Sequence, residues 1–111
     1  MTAVGGFVFN PYGVPGTGMT IRLFNSAADA TSCGSPVNVV AQDVVDSTGF
    51  YFIWRIGTFS DDPGQTNLLP SGVQYAVQLC NGATQLGPIK TTDNKLHNQE
   101  FEQVDFDGMS F

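Results

Sequence analysis

Apolar and polar residues alternate with a period of two along most of the chain. Met19, Ile21 and Leu23 share one side of an extended segment, with Thr20 and Arg22 between them, the pattern of a half-buried strand. Val73, Tyr75, Val77 and Leu79 alternate in the same way with Gln74, Ala76, Gln78 and Cys80. Gly6-Phe7-Val8-Phe9 places aromatic residues two apart, and Val37 to Val45 reads as a further strand. A last strand is expected over Phe101 to Phe106, with Val104 and Phe106 on one face. Between Phe50 and Ile56 both sides are apolar. Phe50, Phe52, Trp54 and Ile56 fall on one, and Tyr51, Ile53 and Arg55 on the other. This segment is expected to be a central, covered strand, with its four large residues facing the core.

Turn residues separate these runs. Asn10 to Gly16 is rich in Pro and Gly, Asp46-Ser47-Thr48-Gly49 is a tight turn, and Asn81-Gly82 predicts a type I′ hairpin. Ala83 to Thr91 should return antiparallel, with Pro88 marking an edge or a bulge. No window has a 3.6-residue period, and Ala27 to Ala30 offers one helical turn at most. The pattern predicts a single all-β domain over residues 1–111: an antiparallel sandwich of about six to seven strands, immunoglobulin- or prealbumin-like.

Composition supports a folded chain. Hydrophobic residues make up 41% and charged residues 13% of the 111, the reverse of a disordered balance. Nine Phe, three Tyr and one Trp supply the area to fill a space between two sheets. The net charge is −6, and the four basic residues Arg22, Arg55, Lys90 and Lys95 are scattered. Nucleic acid and anionic membrane surfaces are therefore poor partners. No stretch is long and apolar enough to span a bilayer, and membrane insertion is not expected. Cys33 and Cys80 lack zinc-site spacing. They are expected to pair as a disulfide, the alternative being two buried free thiols.

Three segments, in order, resemble a known pattern. They are Gly13-Val14-Pro15-Gly16-Thr17-Gly18-Met19-Thr20-Ile21-Arg22-Leu23, Val45-Asp46-Ser47-Thr48-Gly49-Phe50-Tyr51-Phe52, and Leu69-Pro70-Ser71-Gly72-Val73-Gln74-Tyr75-Ala76-Val77. Together they are similar to prealbumin-like sandwich domains: the B domains of collagen adhesins and of serine-aspartate-repeat surface proteins, and carboxypeptidase regulatory-like domains. The resemblance implies a cell-surface structural or adhesive role. It also marks departures. Collagen-adhesin-type domains often carry an isopeptide crosslink from a first-strand Lys, and Thr2 to Asn10 contains none. The loop that holds calcium in the serine-aspartate type corresponds to Asn10 to Gly16, which has no carboxylate.

Candidate chemistry is sparse. His97 is the single histidine and has no nucleophile motif around it. Carboxylates occur in pairs at Asp61-Asp62, at Glu100 with Glu102, and at Asp105 with Asp107. Asp61, Asp62, Asp105 and Asp107 are the calcium candidates, against the plainer reading of a solvated face or a charge-blunted edge. Tyr12, in a Pro/Gly loop, and Phe59, beside Asp61 and Asp62, are the candidate ligand-facing residues, able to stack on sugar rings. No cofactor and no catalytic residue is expected. The leading expectation is a non-enzymatic extracellular structural or adhesive module, its leader peptide removed, within a cell-surface fibre or pilus-like assembly. Sheet edges and the apolar termini would meet protein partners or further copies. The alternative is a carbohydrate-binding accessory module.

Overall fold

Each period-two run becomes a strand, and adjacent runs pair where their turns bring them back. The computed structural model describes residues 1–57, 67–93 and 95–111. Its elements are β1 (Ala3–Phe7), β2 (Thr20–Phe24), a single 3₁₀ turn (Ala27–Asp29), β3 (Ala41–Val44), β4 (Phe50–Ile53), β5 (Ala76–Asn81), β6 (Thr84–Gln85), β7 (Lys90–Thr91) and β8 (Phe101–Gln103). They form two sheets. One has the order β4-β1-β8, and the other β3-β2-β5-β6, with β7 also on β5. All neighbours are antiparallel except β1 and β8. The chain is a β-sandwich, as its alternation predicts.

The core lies between the sheets. Ile21, Leu23, Val77 and Leu79 come from the five-stranded sheet, and Val4, Val8, Tyr51, Ile53, Val104 and Phe106 from the other. All are buried, each large apolar side chain contributing roughly 1.5–3 kcal/mol.

The expected orientation of β4 is reversed. Tyr51 and Ile53 point inward, Phe50, Phe52 and Trp54 are only half-buried, and Ile56, beyond the strand, packs against the core; β4 is an edge strand rather than the central one expected. The neighbouring strand decides this. Gly6 of β1 sits opposite Tyr51 and Val4 opposite Ile53, leaving interior room for the larger side chains. The Tyr51 hydroxyl donates to the Val104 carbonyl at 2.5 Å, directly over Gly6. A Cβ on Gly6 would lie 2.2 Å from that same oxygen, so only glycine fits there. On the other side of β1, Phe7 faces Phe50 across the pair, and both turn outward.

The two ends of the chain differ: the last strand, β8, is an edge of its sheet, and the first is not. β1 is the central strand of its sheet. The C-terminal segment is tied to it by Met109 N–H to the Phe9 carbonyl at 3.1 Å and by Asn10 Nδ2 to the Phe111 carbonyl at 3.1 Å. The β5–β6 hairpin has Asn81 paired with Thr84, which makes Gly82 and Ala83 its central residues. Only Gly82 has a positive φ (59°), the type II′ pattern rather than type I′. The Leu69–Gly72 run packs through Leu69, and the Tyr75 hydroxyl turns back to the Pro70 carbonyl, the arrangement of a tyrosine corner.

Candidate functional site

The two outer faces of the sandwich differ sharply. On the five-stranded sheet, Phe24, Ala76, Gln78 and Cys80 point away from the interior, yet all are buried. The segment 25–40 lies over them as a strap. A Cys33–Cys80 disulfide, with Cα atoms 5.7 Å apart, fastens it. Gln78 Nε2 donates to the Thr31 carbonyl at 2.6 Å, and an Arg22 guanidinium nitrogen to the Cys33 carbonyl at 3.2 Å. Burial pushes the Arg22 pKa down. The expected pairing of the cysteines is observed.

Among the described residues, no comparable strap lies over the three-stranded sheet. Its outer face is a row of five phenylalanines, Phe9-Phe7-Phe50-Phe52-Phe101, with successive ring centroids 6.0, 5.1, 6.3 and 5.8 Å apart. Phe7 is 37% and Phe101 48% exposed, so the row faces solvent at several points. Gly5 lies beneath it. A Cβ there would stand 3.0 Å from the Phe101 ring and 3.1 Å from the Phe52 ring, so the glycine lets those rings close over the strand. Trp54 extends the β4 side in phase with Phe50 and Phe52, and the Arg55 guanidinium lies 4.3 Å from the centre of its ring.

A groove of about 410 Å³ runs along the outer edge of β4, bounded by Phe50, Phe52, Trp54, Arg55, Asp43 and Asp46. Two carboxylates complete this edge. Asp43 Oδ2 accepts the Phe52 N–H at 3.0 Å. Asp46 Oδ1 accepts the Phe50 N–H at 3.0 Å, the Thr48 N–H at 2.9 Å and the Thr48 hydroxyl at 2.7 Å. The Thr48 and Phe50 hydrogen bonds hold the Asp46 pKa below its ordinary value. An edge whose N–H groups are taken by carboxylates is blunted against addition of a further strand.

Of the residues expected to face a ligand from loops, Tyr12 alone lies among the described residues. Tyr12 is 90% exposed, on a turn that Asn10 Oδ1 holds by accepting the Tyr12 and Val14 N–H groups at 2.9 Å each. Phe59, Asp61 and Asp62 lie outside the described residues. Asp105 serves the backbone. Its Oδ1 accepts the Phe7 N–H at 2.8 Å and, with Oδ2, the Gln103 amide at 3.1 and 3.0 Å. Asp107 is exposed. Glu100 and Glu102 likewise accept backbone N–H groups, from His97 at 2.7 Å and Asp93 at 2.6 Å. Among the described residues, no three His, Cys, Asp or Glu side chains converge to hold a metal.

The outer row is the feature that reading single strands misses. Its signal was available as aromatic pairs two apart in two strands, Phe7 with Phe9 and Phe50 with Phe52. Only the antiparallel register of β1 and β4 merges them into one surface. Comparison with protein-family models, with curated proteins and with solved structures finds no match, so the site stands on this chain's own geometry.

Proposed function

We propose that the chain is a non-catalytic structural or adhesive module working outside the cytoplasm, and that its working surface is the aromatic face of the three-stranded sheet. The observation that carries this is the contrast between the two faces: one is strapped over and stapled, while the other carries a contiguous row of five Phe rings, half-buried at Phe9, Phe50 and Phe52 and exposed at Phe7 and Phe101. A contiguous exposed aromatic surface on a folded domain marks a contact site. The disulfide supports an oxidising compartment. Among the described residues no helix is long and apolar enough to cross a membrane. The three prealbumin-like segments agree with this reading, as does the role of their turns in placing β2, β4 and β5. Contact through the face is favoured over strand addition at β4, whose outer-edge Phe50 and Phe52 N–H groups are taken by Asp46 and Asp43. A carbohydrate-binding accessory role is the second reading, and the open aromatic row favours it.

Beads coated with the protein test the proposal. They should cluster with one another or adhere to intact cells of the source organism. Beads carrying the Phe7→Ser/Phe101→Ser double variant should lose most of that adherence. Equal adherence by a folded double variant would remove the aromatic face from the function.

A further inference from the structure

We propose that the groove along the outer edge of β4 is a binding subsite for a neutral glycan, with a sugar ring lying against Phe52 and Trp54 and a hydroxyl donating to Asp46. This inference rests on the adhesive reading above and names the ligand chemistry of the same face.

Size argues first. A face of three strands about 4.8 Å apart, five residues long at about 3.3 Å per residue, offers roughly 250 Å². A stable protein–protein contact needs roughly 800 Å² from each partner. The aromatic face is smaller than a standard single protein interface, so clustering through it relies on many weak contacts at once, whereas the groove of about 410 Å³ has the size of a small-ligand site.

The lining argues second. The groove combines apolar rings with fixed polar groups, the pairing a sugar requires, since each sugar has an apolar C–H face and a rim of hydroxyls. Asp46, in the groove wall, is held through Oδ1 by three hydrogen bonds, and no described residue hydrogen-bonds its Oδ2. Arg55 steadies the indole of Trp54 from one side at 4.3 Å. Side chains immobilised before binding lose little freedom when a ligand arrives.

Charge decides which glycan. The chain carries −6 overall, and in the groove wall two carboxylates, Asp43 and Asp46, outnumber one guanidinium, Arg55. A sulfated or uronate-rich polymer would be repelled, and a neutral one would not.

Trp54 is the sole tryptophan, so the emission of the intact protein reports on this groove alone. The test is a fluorescence titration of the full chain with cellohexaose, xylohexaose, mannohexaose and hexa-N-acetylchitohexaose, each repeated by calorimetry, with heparin as the anionic comparison. At least one neutral oligosaccharide should give saturable binding, and heparin should give none. Phe52→Ala and Asp46→Asn should each weaken that binding about tenfold or more, the amide keeping an oxygen for the turn. Val37→Ser, an exposed change on the strap, should leave it within about twofold. Absence of saturable binding to all four at millimolar concentration would overturn the inference, as would unchanged affinity in folded Phe52→Ala. If the coated beads still adhered through Phe7 and Phe101 in that case, the adhesive reading would survive and only the ligand class would fall.

Discussion

At the scale of single residues, the position of Tyr51 explains the most. Its ring is buried opposite Gly6, and its hydroxyl finds the Val104 carbonyl where an ordinary side chain on Gly6 would have blocked it. Burial first, then the nearby negative charge of Asp105, pushes its pKa well above the usual phenol value, so it stays neutral and donates throughout the physiological range. Tyr51→Phe removes the donor and leaves a buried carbonyl unpaired, which should cost roughly 1–3 kcal/mol in urea unfolding. The Tyr75 phenol, also raised by burial, to about 12, closes its corner against Pro70 in the same neutral form. Asp46 acts at the surface. Its folded pKa is below the ordinary 3.8 because the charged form accepts the hydrogen bonds of its turn. Its stabilisation is therefore complete above that value and is lost as pH falls through the lowered one. Glu102 runs the opposite way: burial raises its pKa, so the small cost of its charge disappears on acidification. Unfolding followed from pH 6 to pH 2 should show a fall in stability that is smaller in Asp46→Asn than in the native chain, since the amide has no charge to lose.

Among the elements, alternation made the strands legible and left their facing undecided. β2 and β5 have one plainly apolar side each, and Ile21, Leu23, Val77 and Leu79 all face inward as their period requires. β4 is apolar on both sides, so its own residues do not say which side is inside. The small Val4 and Gly6 on the partner strand settle it, and that information lies about forty-five residues away. The hairpin at Asn81-Gly82 was legible as a turn but not in register, because the Asn81–Thr84 pairing moved the central residues along by one. The strap was the least visible element. The stretch 25–36 has no periodicity, and only Cys33 signals that it is fastened to the sheet. Removing the bond by Cys33→Ser/Cys80→Ser reopens a separation of 47 residues. The chain-entropy account puts the loss at about 4 kcal/mol. Chemical denaturation should show a loss of that order, and amide exchange should rise first in Thr31, Gln78 and their neighbours, which the strap covers. β1 and β4 on the far side should keep their protection until global unfolding.

For the whole molecule, the division of labour between faces is the organising fact. The interior uses aliphatic residues with Tyr51, Tyr75 and Phe106, the strapped face uses a disulfide, and most of the remaining large rings lie on the open face. Stability alone gains little from five phenylalanines that are half-buried or exposed, because rings left partly in water contribute only part of their burial energy. Their concentration on one three-stranded sheet follows if that face meets something. The account therefore stands or falls on the row being outside and Tyr51 with Ile53 being inside. Urea unfolding of Phe101→Ser set beside Ile53→Ala reads this directly. The account predicts a loss within about 1 kcal/mol for Phe101→Ser and about 2–5 kcal/mol for Ile53→Ala. A Phe101→Ser loss as large as that of Ile53→Ala would contradict it, because the row would then belong to the core.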